Sequence, residues 1–289
     1  MHSPTTQPFQ VLPIINNKGG VGKTTTAVNL AAGLARQGRR VLLLDLDCQA
    51  SASLSLGLTR QDLEPSSAAV LFGQVSLEEA IRETKVPNLD LVPASMDLAN
   101  ADLRLAQSRR RTGRLADALR PARGAYDHIL IDCAPSTSLL NVNAIVAADA
   151  LLIPLSPSYL SLEGLVSFGE TIRRIRAAMG SIAPVLGMVM TMFDHTDPEA
   201  IKIVEATRSR FGGKLFDTPI RPCPELVGAP GNSQTIFEYA PHSTGAADYD
   251  ALARDVVDRL MRYASICRLP AQNLVMSPAQ DRAIAAAAA

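Results

Sequence analysis

The sequence predicts an α/β fold: a single domain built on a mostly parallel, twisted sheet with helices on both faces. Short apolar runs alternate along the chain with longer segments of helical periodicity. The run at 41–44 is apolar at every position, as expected of a strand that helices cover on both sides. The chain has 289 residues, of which 47% are hydrophobic, and this is enough for one large core.

We place the domain at residues 9–265, between a flexible tail at 1–8 and a second tail at 266–289 without a clear apolar face. The predicted strands are 11–15, 41–44, 89–93, 126–132, 150–154 and 185–192. The predicted helices are 26–35, 77–81, 97–120 with a break near 112–113, 138–147, 160–179, 198–211 and 246–263. Residues 214–245 are rich in proline and glycine and are predicted to form a short strand and a loop.

Composition excludes several classes of function. The formal net charge is zero, so any binding to nucleic acid or to an anionic membrane must come from a local patch. No apolar run reaches the roughly 18 residues of a membrane span, and the N-terminus lacks the features of a signal peptide. The four cysteines are scattered and indicate neither a disulfide framework nor a metal site. We therefore expect a cytoplasmic protein.

The first predicted strand leads into a loop rich in glycine and lysine. The loop reads Asn17-Lys18-Gly19-Gly20-Val21-Gly22-Lys23-Thr24-Thr25, and a helical segment follows it. Strand, glycine loop and helix N-terminus are the parts of a phosphate-binding loop, and we assign all nine residues to nucleotide binding. Lys23 supplies charge for the terminal phosphates, and the Thr24 hydroxyl suits Mg²⁺, which prefers oxygen ligands. Asn17 replaces a glycine of the common pattern, and asparagine tolerates the left-handed turn expected there.

Two other predicted strands end in aspartates. Asp132 ends the strand at 126–132, and Asp45 and Asp47 follow the strand at 41–44. Ligands of α/β folds bind beyond the carboxyl ends of the strands, so these carboxylates are expected near the loop. Asp132 can hold Mg²⁺ through water, and hydrolysis needs a group that orients the attacking water. Asp45 is expected to be structural or adjacent to the metal.

The segment from Lys18 to Thr25 resembles the deviant Walker A box of the ParA/MinD family of partition ATPases. The resemblance implies a single-domain P-loop NTPase fold with ATP and Mg²⁺ as cofactors. It implies that Lys18 reaches across a dimer interface to the nucleotide of a second copy, and that Asp47 positions the attacking water. The predicted catalytic residues are thus Lys18, Lys23 and Asp47, and the predicted metal-binding residues are Thr24 and Asp132.

The resemblance covers roughly residues 10–265. Further segments that look like family blocks are 158–165, 191–194 (near the base in the family) and 236–253. The chain departs from the family in the stretch 220–231. Glu225 stands where the family often has arginine, and Gly228 stands where it has glutamate.

The resemblance also implies partners. These are a second copy of the chain on ATP binding, DNA without sequence preference, and a ParB-like protein that stimulates hydrolysis, which together place the protein on the nucleoid. The candidate DNA contacts are Arg208, Arg210 and Lys214, with Arg173, Arg174 and Arg176 as a second group and the arginine-rich segment 104–123 as a third. An ordinary solvated helix face is an equally good interpretation of each.

The main functional prediction is an ATPase that partitions or positions chromosome or plasmid DNA. An alternative within the same family is the positioning of a protein cargo, such as a chemoreceptor cluster or a carboxysome. A MinD-like membrane cycle would need a basic amphipathic C-terminal helix, and residues 278–284 make a poor anchor, so no stable membrane anchor is expected. A protein that spends ATP on biosynthesis or electron transfer is the remaining alternative, and the electron-transfer relatives need bridging cysteines for which the sequence offers no pair.

Overall fold

The structure is a computed structural model that describes residues 11–180 and 182–267. The predicted tail at 1–8 and nearly all of the predicted tail at 266–289 lie outside the described residues. The strands are β1 (Val11–Ile14), β2 (Val41–Leu46), β3 (Arg82–Glu83), β4 (Leu89–Val92), β5 (His128–Cys133), β6 (Leu151–Leu155) and β7 (Val185–Met190).

All seven described strands form one sheet in the order β3-β4-β2-β5-β1-β6-β7. Every neighbouring pair is parallel except β3 with β4. Beyond β7, the segment 215–220 runs along the sheet. There the Phe216 and Ile220 N–H groups donate to the carbonyl oxygens of Met188 and Met190, each at 2.8 Å. The predicted mostly parallel sheet is confirmed.

The helices cover both faces of this sheet. They are α1 (Lys23–Arg36), α2 (Ser51–Ser55), α3 (Ser67–Leu71), α4 (Leu77–Ala80), α5 (Ala101–Ala106), α6 (Arg114–Ala118), α7 (Leu139–Ala147), α8 (Tyr159–Met179), α9 (Pro198–Phe211), α10 (Glu225–Gly228), α11 (Ile236–Tyr239) and α12 (Thr244–Cys267). Short 3-10 helices occupy Met96–Asn100, Gly212–Lys214 and Pro230–Asn232.

Two stretches differ from the sequence prediction. The segment predicted as a helix over 97–120 contains α5 and α6, separated by a turn at 107–113. The short strand predicted within 214–245 is not formed beyond a single bridge from Leu215 to Met188, and the region holds α10, the 3-10 helix at Pro230–Asn232, α11 and the start of α12. The α11 turn is stabilised locally, because Thr235 and Glu238 form a reciprocal capping box.

The strongly periodic helices match their predictions closely, and α9 shows why. The Asp197 carboxylate accepts a hydrogen bond from the Glu199 N–H at 2.9 Å, and Pro198 occupies the first helical position. Gly212, with a φ of 53°, ends the helix.

Two apolar layers bury the sheet. Val11, Leu42 and Ile131 point into the layer that includes α7 and α8, whereas Leu12 and Leu43 point into the layer that includes α1 and α12. Alternate side chains of one strand thus enter opposite layers, which explains the continuous apolar runs in the sequence.

The topology brings three strand ends together. β5 lies between β1 and β2, and Asp132 pairs in register with Ile14 on one side and Asp45 on the other. The loop after β1 leads to α1 on one face, whereas the loop after β5 leads to α7 on the opposite face. A crevice therefore opens at this edge of the sheet, where α/β folds bind their ligands.

Candidate nucleotide-binding site

The loop between β1 and α1 has the backbone of a phosphate cradle. Gly20 and Gly22 have φ values of 73° and 78°, in the region that side chains disfavour. Asn16 anchors the loop: its amide nitrogen donates to the Pro154 carbonyl at 2.8 Å, and its amide oxygen accepts from the Lys18 N–H at 3.0 Å. Sequence reasoning missed this role of Asn16, because the carbonyl it binds belongs to β6.

Asn17 does not adopt the left-handed turn expected of it, since it is not among the described residues with positive φ. Its side-chain oxygen is buried and has no hydrogen-bond partner among the described residues. That oxygen would lie 3.8 Å from a Cβ added at Gly164, at the start of α8. Asn17 therefore faces α8, whereas the left-handed conformations of the loop are adopted by Gly20 and Gly22.

Lys23 points into the interior of the loop. Its side chain is only 7% exposed, and its ammonium group donates to the Lys18 carbonyl at 2.7 Å. Burial lowers the pKa of Lys23, while the nearby carboxylates of Asp132 and Asp47 act in the opposite direction. An anionic ligand in the cradle would stabilise the charged form of this side chain further.

Asp132 is fully buried beside Lys23 and Thr24. Neither carboxylate oxygen has a well-formed hydrogen bond with a described residue. Burial and the neighbouring Asp45 raise the pKa of Asp132 well above its usual range, and the Thr24 hydroxyl and Lys23 oppose this shift. A buried carboxylate without partners is costly, and a cation bound next to Thr24 would satisfy it. The residues present therefore fit a Mg²⁺ ion.

Asp45 and Asp47 have different environments. Asp45 is fully buried and accepts hydrogen bonds from the Ser53 N–H and hydroxyl at 2.9 and 2.7 Å, and from the Asp47 N–H at 3.1 Å. Burial raises the pKa of Asp45 to about 6. Asp47 is partly exposed and accepts from the Gln49 N–H at 3.0 Å. Asp45 is thus the structural residue of the pair, and Asp47 presents its carboxylate to the crevice.

Lys18 points away from the cradle. Its ammonium group donates to the hydroxyl oxygens of Ser158 and Ser161, at 3.0 and 2.9 Å, at the N-terminus of α8. Ser156 extends this cluster, since its hydroxyl lies 2.7 Å from that of Ser161. Two lysines of one short loop therefore have opposite orientations, one inward and one towards α8.

A cavity of about 670 Å³ extends from the loop to the region that follows β7. It is lined by the predicted residues Gly19, Gly20, Gly22, Lys23, Thr24, Thr25 and Asp47, whereas Lys18 is not among the described residues that line it. The far end is formed by Met192, Pro222, Pro224 and Val227. One polar end with lysine and carboxylates and one apolar end suit a nucleotide, with phosphates at the first and a base at the second.

The apolar end contains the stretch in which this chain departs from the family. Arg221 pairs with Asp248 through its guanidinium group, with a closest distance of 2.6 Å, and its backbone N–H donates to the same carboxylate at 2.9 Å. Glu225 accepts a hydrogen bond from the Cys223 thiol at 3.0 Å and is not among the described residues that line the cavity. The charge change at 225 therefore falls outside the cavity, whose wall at this end is formed by apolar side chains together with Arg221.

Thr191 connects the loop to β7. Its hydroxyl lies 3.0 Å from the carbonyl oxygens of both Val21 and Leu155. A Cβ added at Gly22 would lie 3.6 Å from its methyl group, in ordinary contact. The segment 191–194, which the family resemblance places near the base, thus also holds the phosphate loop in position.

The three predicted DNA contacts do not share one environment. Arg210 and Lys214 line a second groove of about 760 Å³, together with Arg259 and Arg262 of α12. Arg208 lies outside this groove and pairs with Asp217 at 2.6 Å. The ammonium group of Lys214 donates to the Val185 carbonyl at 2.9 Å and contacts the Tyr263 hydroxyl. Sequence reasoning missed the two α12 arginines, although their i, i+3 spacing places them on one helix face.

Among the described residues, no group of three or more His, Cys, Asp and Glu side chains could hold a metal ion by itself. A Mg²⁺ site made of Thr24, Asp132 and ligand phosphates does not need one. Within the same ranges, no helix has the length and apolar character required to cross a membrane.

Comparison with known proteins agrees with this geometry. The family described as AAA domain (AAA_31) matches residues 9–183. The chain is 39% identical over 254 residues to the chromosome partitioning protein ParA of Caulobacter vibrioides, covering 87% of this chain and 95% of that protein. It is 38% identical over 247 residues to the sporulation initiation inhibitor protein Soj of Bacillus subtilis, covering 86% and 98%.

A solved structure shares the fold. Cobyrinic acid a,c-diamide synthase from Mycobacterium smegmatis, with a bound ATP analogue and magnesium, superposes with a TM-score of 0.75 at 31% identity, covering 86% of this chain and 94% of that chain. The predicted P-loop NTPase fold is thereby confirmed. The fold and the matches to ParA and Soj over most of their length together show that this chain is a ParA/Soj-type member of the ParA/MinD family of P-loop ATPases.

Proposed function

We propose that this protein is a Mg²⁺-dependent ATPase that dimerises on binding ATP, binds DNA without sequence preference and partitions chromosome or plasmid DNA. One observation carries the proposal: a single loop turns Lys23 into a nucleotide-sized cavity and Lys18 out of it. Lys18 is not among the described residues that line the cavity, so its ammonium group is left for a ligand outside it. The solved synthase contains an ATP analogue and magnesium, which supports the choice of ligands.

The catalytic roles follow from position. Lys23 neutralises the terminal phosphates from inside the cradle, and the inward N–H groups of the glycine loop bind their oxygens. Thr24 and Asp132 hold Mg²⁺, which neutralises charge that develops on the phosphates during hydrolysis. Asp47 lines the same cavity with a partly exposed carboxylate, so it is placed to orient the attacking water.

The surface around Lys18 supports dimerisation. Two large apolar side chains at the start of α8, Tyr159 and Leu160, are 67% and 69% exposed. They neighbour the serines that hold the Lys18 ammonium group. Exposed apolar residues beside a lysine that can reach outward are suited to a contact with a second copy. Lys18 would leave its serines and bind phosphate oxygens of the nucleotide in that copy.

The DNA-binding surface in this proposal is the groove lined by Arg210, Lys214, Arg259 and Arg262. Arg259 is fixed there: its guanidinium stacks 3.8 Å from the Phe216 ring centre and donates to the Lys214 carbonyl at 3.1 Å. Four cations in one concave surface can neutralise several phosphates without reading bases. A dimer would present two such grooves, so ATP binding would strengthen DNA binding.

The test uses the Asp47→Ala variant, which should bind ATP without hydrolysing it. Its binding to random-sequence duplex DNA is measured with ATP or ADP across a salt series. We expect binding with ATP alone, falling steeply as salt rises. Arg210→Ala should weaken this binding at every salt concentration, while Lys202→Ala, a matched change on the same helix but outside the groove, should not.

Two results would contradict parts of the proposal separately. An ATP-bound dimer that does not bind DNA would remove the DNA track and favour the alternative in which the family scaffold positions a protein cargo through another surface. A protein that binds ATP but stays monomeric would contradict the role of Lys18. If ATP-dependent dimerisation and DNA binding are both observed, the next measurement is whether a ParB-like protein stimulates ATP hydrolysis.

A further inference from the structure

A third concave surface is used by no part of the proposed function. It has a volume of about 640 Å³ and lies between the end of α3, the turn before α4, and α6. We call it the arginine groove. Its floor is apolar (Val70, Leu71, Val75 and Leu77), and its wall carries three arginines and one carboxylate (Arg109, Arg110, Arg114 and Asp117). This is the segment 104–123 whose excess of arginine was evident in the sequence and to which no function was assigned.

Arg114 is held rigidly in the wall. Its guanidinium donates to the Leu71 carbonyl at 3.0 Å, the Phe72 carbonyl at 3.3 Å and the Ser108 hydroxyl at 3.1 Å. These carbonyl groups lie at the C-terminal end of α3, where the helix itself supplies no N–H groups to bond them. On the same side, the Arg104 guanidinium stacks 3.5 Å from the centre of the Phe72 ring. Arg114 is therefore a fixed cation of the wall, and Arg104 is a fixed cation close to it.

The positive charge of this wall is only partly neutralised. Asp117 pairs with both Arg110 and Arg120, so one carboxylate serves two arginines. Arg109 of the wall, and Arg111 next to the groove, have no ion pair among the described residues, and both are exposed. In a chain with zero formal net charge, this is a local excess that a partner of opposite charge would complement.

The groove is remote from the surface that carries Lys18. The Thr112 hydroxyl, next to the wall, lies 3.9 Å from the sulfur of Met179 at the C-terminal end of α8. Lys18 contacts the N-terminal end of the same helix. Since α8 has 21 residues, its ends are about 30 Å apart. A ligand in the groove would not compete directly with a second copy bound at Lys18.

We propose that the arginine groove is a docking site for a short acidic, amphipathic segment of a partner protein, in which one or two apolar side chains enter the floor and flanking carboxylates meet Arg109, Arg110 and Arg114. Arginine forms bidentate bonds with carboxylates, and apolar anchors supply affinity in small pockets. DNA fits less well, because its phosphate backbone offers nothing to an apolar floor.

Segments of this chain outside the structure do not match the groove. Residues 1–10 contain no acidic side chain, and residues 268–289 contain one aspartate with two arginines. We take the occupant to be a segment of another protein, on the basis of the positive charge and apolar floor of the groove. The proposal does not depend on nucleotide or DNA binding, and the test is made on the full chain without added nucleotide, so that its outcome is independent of theirs.

The probe is a displayed library of random 12-residue peptides, selected against the immobilised full-length protein. An enriched peptide is then synthesised with a fluorescent label, and its affinity is measured by anisotropy. We expect enriched sequences that combine Asp or Glu with Leu, Ile or Phe. Arg109→Glu with Arg110→Glu should weaken their binding by about tenfold or more. Arg173→Glu with Arg174→Glu gives the same change in net charge outside the groove and should leave affinity unchanged.

A second variant tests the floor without touching the arginines. Val75 is only partly buried in the turn before α4, so Val75→Asp should fold normally and still prevent binding. The proposal is overturned if the library yields no acidic amphipathic peptide, or if binding of those peptides is the same in both groove variants and the control pair. It is also overturned if the Arg109 and Arg110 changes abolish binding of duplex DNA, which would assign the groove to nucleic acid.

Discussion

The inner and outer sides of the phosphate loop differ, although the lysines that mark them, Lys23 and Lys18, are only five residues apart in sequence. On the inner side, Lys23 is buried among carboxylates, and burial lowers its pKa. On the outer side, Lys18 is bonded to two serine hydroxyls and has no carboxylate partner among the described residues. The difference teaches that the two lysines of one short loop can be held in opposite directions, Lys23 by a carbonyl of the loop itself and Lys18 by serines of α8.

The inner side is costly to form without a ligand. A buried lysine lies in one crevice with the Asp132 carboxylate, which has no well-formed hydrogen bond with a described residue, and burying each of these polar groups costs desolvation free energy. The desolvation cost on the outer side is small, because hydroxyl groups accept hydrogen bonds from the Lys18 ammonium and can release it to a stronger partner. The four predictions below test this contrast, from the largest expected effect to the smallest.

Replacing Asp47 by alanine should separate chemistry from binding on the inner side. Loss of a group that orients water should slow ATP hydrolysis by about 10² to 10⁴-fold while ATP still binds. Phosphate release at saturating ATP is the measurement. Asp47→Asn, which keeps the oxygen that accepts from the Gln49 N–H, should be almost as slow because it lacks the charge. Wild-type turnover in either variant would remove Asp47 from the mechanism.

The Lys23→Ala variant should lose affinity for ATP. A hydrogen bond to a charged group contributes about 1.5–3 kcal/mol, so losing two such bonds to phosphate corresponds to roughly a hundredfold or more. Titration with a fluorescent ATP analogue measures it. Lys18→Ala is the matched control and should bind the analogue as the wild type does. Equal loss in both variants would contradict the contrast between the two sides.

In the outer-side test, Lys18→Ala should prevent the ATP-dependent dimer. Its partner in the proposal is a phosphate, so we expect the dimer to weaken by about tenfold or more. Light scattering with ATP in the Asp47→Ala background, where hydrolysis cannot reverse assembly, gives the mass. A dimer of normal strength would show that Lys18 stays with its serines and does not cross the interface.

The Ser161→Ala variant should have the smallest effect and the opposite sign. Removing one hydroxyl that holds Lys18 lowers the cost of releasing it, and a net hydrogen bond is worth about 0.5–1.5 kcal/mol. The ATP-dependent dimer should therefore strengthen by roughly two- to tenfold. Ser167→Ala, at an exposed position of the same helix, is the control. A weaker dimer would mean that Ser161 positions Lys18 for the partner's nucleotide.

Much of the fold could be predicted because the central strands are continuous apolar runs and the long helices are strongly periodic. The region 214–245 could not, since its elements are single turns without a periodic face. One of these turns did carry a local signal. Thr235 and Glu238 are spaced as a capping box, which predicts a helix start where we expected a strand and a loop.

The position of the inner side could be predicted, because motif and strand ends locate Lys23, Thr24, Asp47 and Asp132 in one crevice, while the roles assigned to these residues stay predictions. The arrangement of the outer side could not be predicted. The serines that bind Lys18 follow it by about 140 residues, and only the meeting of the loop with α8 brings them together. The groove that contains Arg210 was likewise incomplete in the sequence, because Arg259 and Arg262 belong to a helix whose exposed face was unknown.

The two edges of the sheet affect how readily copies of this protein aggregate at high local concentration. At one margin stands β3, an antiparallel strand of only two residues, and at the other the segment 215–220 occupies the outer hydrogen-bonding groups of β7. Neither offers a long row of unpaired backbone groups to another chain. Many copies could therefore bind close together on one polymer or one cargo without pairing through their sheet edges. Their association would then depend on reversible contacts between side chains.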